Sequence, residues 1–241
     1  LGGSTIYQND DFFKINNETS NVWLKKQIEE LKKIPNLIIK NRTSVAAFHG
    51  YNYLLARENL TDHLSAHERK EKIRQRLLKI RAKKVVIATG AIERPLIFSN
   101  NDRPGIILSS SIKKYIDYYG VKTGENISLF TNNDSAYETA ISLNKSGVKV
   151  KVIIDIRENP SSILSEKIEK AGIKILRGHT ITNTDGYKRI KSIDVMKLSK
   201  DGENVVGKKT TYKCDCLGIS GGWTPMVHLF TQSGGKLKFR N

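Results

Sequence analysis

Two apolar runs in this sequence end in small residues and glycine: Val86-Ile-Ala-Thr-Gly-Ala91 and Leu217-Gly-Ile-Ser-Gly-Gly-Trp223. Such an exit has no bulky side chain to hold a flat, anionic ligand away from the backbone. Ala88, Thr89 and Gly90 at the first exit, with Gly221 and Gly222 at the second, are therefore candidate dinucleotide-binding residues. Gly2 and Gly3 join them as a fragment of a cofactor-facing loop, or else form a plain terminus. A third place is the turn Asn132-Asn-Asp-Ser135 after the apolar run Ile127 to Thr131, with Asp155 roughly 20 residues on, where a dinucleotide fold carries its ribose-binding acid. The fingerprint glycines are missing there. Asn132 and Asn133 tolerate positive φ but put side chains where a pyrophosphate needs bare backbone. The turn either holds a nucleotide through Asn132, Asn133 and Asp155 or retains only the fold, and both readings stay open.

No residue stands out as an acid, base or nucleophile for catalysis. The five histidines are dispersed, and His228, in Val-His-Leu-Phe, has no evident carboxylate partner and reads as a core or interface residue. Cys214 and Cys216 are one residue apart in a predicted strand, which points them to one face. They are too close for an unstrained disulfide and lack neighbouring metal-type ligands, so they read as small buried side chains in a reducing cytoplasm. Glu93 and Arg94 either anchor a loop as a charged pair or face a ligand.

The elements that position these residues form a repeat. Residues 36–95 run from an apolar strand (Leu37-Ile-Ile-Lys40) through a polar stretch to the Thr-Gly exit, and residues 172–225 repeat that order from Ile173-Lys-Ile-Leu176 to the Ser-Gly-Gly exit. Between them, strand Ile127–Thr131, a helix from Ala136 to Ser146 closed by Gly147, and strand Val148–Ile154 make a parallel unit. Helices are also predicted over Val22–Ile34, stopped by Pro35, and Ser109–Tyr119, ended by Gly120. Hairpins are predicted over 45–56 around Gly50, and from Ile190–Leu198 to Lys208–Tyr212. The fold class is thus α/β, an FAD/NAD(P)-binding, Rossmann-like fold with two dinucleotide-binding domains. The expected limits are 1–104 for part of the first domain, 105–220 for a second, inserted one, and 221–241 for the return to the first. The glycine turn that should open the first domain is absent before Asn36, so truncation at the N-terminus is expected.

With 38% hydrophobic residues, 241 residues can bury a sizeable core, and there is no transmembrane run or signal peptide, so no membrane partner is expected. The net charge of +17 raises nucleic acid as a partner. The densest basic run, His67 to Arg81, is interleaved with acids and apolar residues, and no nucleic-acid-binding signature accompanies it. A solvated or partner-facing surface is the expectation, without nucleic acid.

Four blocks carry a family resemblance: Val86 to Phe98, Asn100-Asn-Asp-Arg-Pro-Gly105, Phe130-Thr-Asn-Asn-Asp-Ser-Ala-Tyr137 and Ser220 to Leu237. Together they resemble the α subunit of heterotetrameric sarcosine oxidase, in order along nearly the whole chain; α subunits of opine and other amino-acid dehydrogenases are the nearest competitors. The resemblance implies a central fragment of an oxidoreductase subunit, with NAD in this subunit. FAD and FMN would lie mainly on the β subunit, zinc on a small subunit, and the γ and δ subunits would complete the assembly. The implied reaction demethylates sarcosine to glycine, passes a one-carbon unit to tetrahydrofolate and forms hydrogen peroxide. Amine oxidation would occur on the β subunit, so the fragment alone is expected to be inactive.

Overall fold

Alternating burial organises the larger part of the chain. In the computed structural model, which describes residues 2–8, 14–160 and 162–239, strand β5 (Asn126–Thr131) lies between β6 (Lys149–Asp155) and β11 (Cys216–Ser220). Strands β7 (Ile175–Arg177) and β4 (Ile106–Leu108) complete a five-stranded sheet of order β7-β6-β5-β11-β4, in which every pair is parallel. Side chains alternate between the faces of a strand, so a sheet covered on both sides needs near-continuous apolar runs. Ile127, Leu129 and Ile153 face one core with helices α3 (Ser109–Tyr119), α4 (Ser135–Lys145) and α5 (Ile163–Lys170). Phe130, Val152, Ile154, Leu217 and Ile219 face the other core. An antiparallel meander of β8 (His179–Gly186), β9 (Ile190–Leu198) and β10 (Val205–Lys213) covers that second face through Ile181, Ile190, Ile193 and Val195.

Local signals set the element ends. Gly120, at φ +64°, closes α3 with its N–H on the Ile116 carbonyl, and Gly147, at φ +71°, follows α4. These elements belong to one compact unit, residues 4–23 and 93–224. The other unit comprises 1–3, 24–92 and 225–241. It contains most of helix α1 (Ser20–Lys32), a second antiparallel meander of β1 (Thr43–His49), β2 (Tyr53–Asn59) and β3 (Gln75–Arg81), short helix α2 (Ala66–Arg69), and helix α6 (His228–Gln232).

Each half of the sequence repeat therefore carries a three-stranded antiparallel meander. The expected hairpin around Gly50 forms, with β1 and β2 paired antiparallel across a turn at 50–52 in which Tyr51 and Asn52 have positive φ. Other expectations fail within the first half. Gln75–Arg81, read as part of a charged run, is a strand paired along its length with β2. Leu37–Lys40, a predicted strand, pairs with no strand among the described residues, and of the predicted strand Val86–Ala91 only Ala91 enters one, Ala91–Glu93; Ile38 and Val86 are 79% and 91% exposed. An apolar run becomes a parallel strand only where another strand offers its hydrogen-bonding edge. The Asn126–Thr131 and Lys149–Asp155 runs have such neighbours; residues 37–40 and 86–90 do not.

Candidate functional site

Strands β5 and β11 are paired in parallel up to Thr131 and Ser220, so the chain leaves both at the same edge of the sheet. The Asn132 N–H donates to the Ser220 carbonyl (3.2 Å). Thr131 Oγ1 donates to the Asn133 carbonyl (2.8 Å) and accepts the Asn133 N–H (3.0 Å), which tightens the turn. The Asn133 side chain fills it: Nδ2 donates to Ser220 Oγ (2.9 Å) and Asn132 Oδ1 (3.1 Å), while Oδ1 accepts the N–H (3.1 Å) and the hydroxyl (2.5 Å) of Ser135. Ser135 opens α4, and its N–H is one of the four that a helix start leaves without an internal partner. A carboxamide oxygen thus occupies the position at which a dinucleotide fold presents N–H groups to phosphate.

Asp155 is fully buried. Its Oδ2 accepts the Tyr137 hydroxyl (2.7 Å) and Arg157 Nη2 (2.8 Å), and its Oδ1 accepts the Arg157 backbone N–H (2.9 Å) and Nε (3.1 Å). Arg157 Nη2 also donates to Asp134 (2.7 Å). Burial, then the bond to Asp155, pushes the Tyr137 phenol well above its usual pKa, and the bond to Asp155 raises the Arg157 guanidinium. Two carboxylate oxygens that take four protein donors have no site left for a ribose hydroxyl while Arg157 stays in place.

Gly221 and Gly222 differ. A Cβ on Gly221 would come within 2.7 Å of the Pro95 carbonyl, and the Gly221 N–H donates to the Arg94 carbonyl (2.7 Å), so its missing side chain serves chain packing. Gly222 has φ +89°, and a Cβ there would meet only Arg94 Nη2 at 3.6 Å and Asn132 Oδ1 at 4.0 Å. Among the described residues the Arg94 guanidinium pairs with no carboxylate. Bare backbone thus lies beside a guanidinium, an arrangement suited to an anionic group, with the Asn132 carboxamide oxygen, an acceptor, at its margin. Arg94 and Glu93 do not form a pair; Glu93 instead accepts the Ser110 N–H (2.8 Å) near the start of α3.

In the other unit, Ala88, Thr89 and Gly90 are exposed. The Thr89 hydroxyl donates to the Met226 carbonyl (2.6 Å), and the Met226 N–H donates to the Gly90 carbonyl (2.9 Å). Gly90 has φ +70° with open space where a Cβ would lie. A Cβ on Gly2 would run into Leu24 at 2.2 Å, which assigns Gly2 to packing, whereas Gly3 is open.

The cysteines do not share a face. Cys214 lies in the core under the meander and Cys216 in the core under the helices, because the chain turns at Asp215, whose carboxylate accepts the Glu125 and Asn126 N–H groups (2.9 Å each) before β11 begins. Both thiols are free and buried, and burial pushes Cys214 up to about 12 and raises Cys216. His228 is exposed at the start of α6 rather than in a core. Among the described residues no group of three His, Cys, Asp or Glu is arranged to hold a metal, and no helix is long and apolar enough to cross a membrane.

A doubly covered parallel sheet with a nucleotide-type turn defines an FAD/NAD(P)-binding, Rossmann-like protein. The family model described as pyridine nucleotide-disulphide oxidoreductase matches residues 16–241, and the chain belongs to that oxidoreductase family. Within it, the chain is 36% identical over 217 residues to sarcosine oxidase subunit alpha from Corynebacterium sp. (strain U-96), covering 90% of this chain and 22% of that protein. It is 31% identical over 235 residues to the subunit of the same name from Rhizobium meliloti (strain 1021), covering 98% of this chain and again 22% of the relative. The resemblance read from the four sequence blocks is thereby borne out, and the chain spans about a fifth of the length of these relatives. Among solved structures, T. acidophilum thioredoxin reductase matches 99% of this chain and 71% of its own at a TM-score of 0.71 and 16% identity. L-proline dehydrogenase from P. horikoshii matches 100% and 39% at a TM-score of 0.68 and 22% identity. At these identities the two establish the fold alone.

Two outcomes are expected. Replacing Arg157 with Ala orphans the buried Asp155 charge and destabilises this unit by about 3 kcal/mol in urea titrations. Adding Asp155→Asn recovers most of that loss; a double variant as unstable as the single one would contradict the charge argument. The second outcome concerns pH. Because folded Cys214 keeps its proton to about pH 12 against an ordinary value of 9.0, the folded chain binds more protons than the unfolded one between those values. The stabilisation is complete below about pH 9 and is lost as pH rises through that window. The Cys214→Ala variant therefore loses less stability than the parent between about pH 8 and pH 11, and equal losses would show that the thiol does not contribute.

Proposed function

We propose that this chain is the NAD-binding and scaffolding part of a sarcosine oxidase α subunit. The observation that carries the reading is the 36% identity to such a subunit sustained along 90% of the chain. The two units are read as paired nucleotide-binding domains, the second inserted into the first. In the proposed assembly, sarcosine is oxidised to glycine on the β subunit, which carries FAD and FMN; the one-carbon unit passes to tetrahydrofolate, hydrogen peroxide forms, and a small subunit holds zinc. The β, γ and δ subunits are the proposed partners, in the cytoplasm, and the basic surface is read as solvated or partner-facing.

Bare backbone supports a dinucleotide role separately in each unit. In the first it is Gly90, with Ala88 and Thr89 before it; Gly2 and Gly3 belong to the same unit, with Gly3 the open one. In the second it is Gly222, beside the Arg94 guanidinium, with Gly221 setting the path of the backbone. NAD supplies hydride-accepting chemistry when bound; the residues described here would orient its phosphates and exclude side chains from its faces. The turn at Asn132 and Asn133 and the Asp155 carboxylate are read as a retained fold whose nucleotide contacts are taken by the protein itself.

Because Gly90 sits at φ +70°, a branched residue there would strain the backbone, whereas Asn tolerates that region. In the full-length subunit, Gly90→Asn is expected to preserve the circular dichroism spectrum and to weaken NAD binding about tenfold, roughly 1.4 kcal/mol, in calorimetric titration. Unchanged affinity in the folded variant would remove Gly90 from the site.

A further inference from the structure

The second unit contains a cavity of about 190 Å³ beside the turn and the Gly222 exit, lined in part by Tyr7, Glu93, Ser110, Ser135, Thr139 and Trp223. Glu93 is 6% exposed. Its Oε2 accepts the Ser110 N–H (2.8 Å), and its Oε1 has no hydrogen-bond partner. A buried carboxylate oxygen left without a donor is costly, since the group has lost its water and gained nothing in exchange.

Other polar groups of the wall are already engaged. Ser135 Oγ donates to Asn133 and accepts the Trp223 indole N–H (3.1 Å). Thr139 Oγ1 donates to the Ser109 carbonyl (3.2 Å) and accepts the Ser109 hydroxyl (2.9 Å). The buried Lys113 ammonium is paired with Asp117 (2.7 Å) and bonded to Ser142 (2.9 Å). Burial raises the pKa of the Tyr7 phenol, which keeps it neutral. A second carboxylate, Glu138, also lines the space. Among the described residues, Lys113 is the one cation in the wall, and it bonds Asp117 and Ser142 while Glu93 Oε1 has no donor.

We propose that this cavity binds a small organic ammonium, with the unpartnered Glu93 carboxylate oxygen as its counter-charge and the Tyr7 and Trp223 rings as walls for its alkyl part. The volume suits a ligand of a few heavy atoms and is too small for a dinucleotide. A metal ion is disfavoured because no three potential ligands converge among the described residues. Aromatic walls favour an alkylated cation over a bare inorganic one.

The test titrates the full-length protein with methylammonium, ethylammonium, tetramethylammonium and potassium chlorides, following Trp223-sensitive fluorescence and calorimetric heat. Methylammonium and ethylammonium are expected to saturate, and tetramethylammonium, which has no N–H, to bind at least about tenfold more weakly. Glu93→Gln keeps an oxygen for the Ser110 N–H but loses the charge, and is expected to raise the methylammonium Kd at least about tenfold with an unchanged melting temperature. Equal affinity in Glu93→Gln, equal affinity for tetramethylammonium, saturation by potassium alone, or no methylammonium binding at ~50 mM would overturn the proposal. If the variant does not fold, the ligand series on the parent protein decides.

Discussion

Burial of both faces of the parallel sheet is the constraint on which the larger unit depends. Strands β5, β6 and β11 can be nearly continuous apolar runs only because helices cover one face and the β8–β10 meander covers the other. Parallel pairing then brings every strand exit to one edge, where backbone N–H groups and helix starts converge. The chemistry of this unit is therefore decided by which side chains the chain places at that edge. A core substitution that shifted β11 relative to β5 would move Ser220 and Gly222 away from Thr131 and Asn132.

At that edge two solutions to the same problem lie side by side. Asn133 takes the Ser135 N–H and hydroxyl, and Arg157 and Tyr137 fill Asp155, so these groups of the fingerprint turn have protein partners without a ligand. Gly222 and Arg94 leave donors and bare backbone open instead. The contrast follows from residue type: an asparagine carries its own acceptor to the N–H groups, whereas a glycine leaves them to solvent or to a bound anion. Glu93 sits near the second solution in sequence but lines a cavity, where its Oε1 has no hydrogen-bond partner.

Much of this was legible in the sequence where local signals and burial agree. The strand over 126–131, helix α4 with Gly147 after it, helix α3 with its Gly120 stop, and the β9–β10 hairpin all carry both periodicity and a terminating residue. Leu37–Lys40 and the Val86–Ala91 run as far as Gly90 had the apolar pattern without a partner edge, which no local pattern can supply. Gln75–Arg81 was hidden because an exposed strand need not alternate, and its charges resembled a solvated face. The partners of Asp155 were not readable, since the roles of Arg157 and Tyr137 depend on tertiary geometry. Arg94 was legible as a charged loop residue, but its approach to Gly222 was not.

The central claim is that a dinucleotide uses the bare glycine exits and leaves the asparagine turn untouched. Hydrogen–deuterium exchange on the full-length protein with and without NAD tests it most directly, because exchange reports each backbone segment separately. The account predicts that NAD slows exchange at residues 88–91, at 221–223 or at both, with no change at 132–135 and 155–157. Protection confined to 132–135 and 155–157 would contradict it and return the nucleotide to the fingerprint turn.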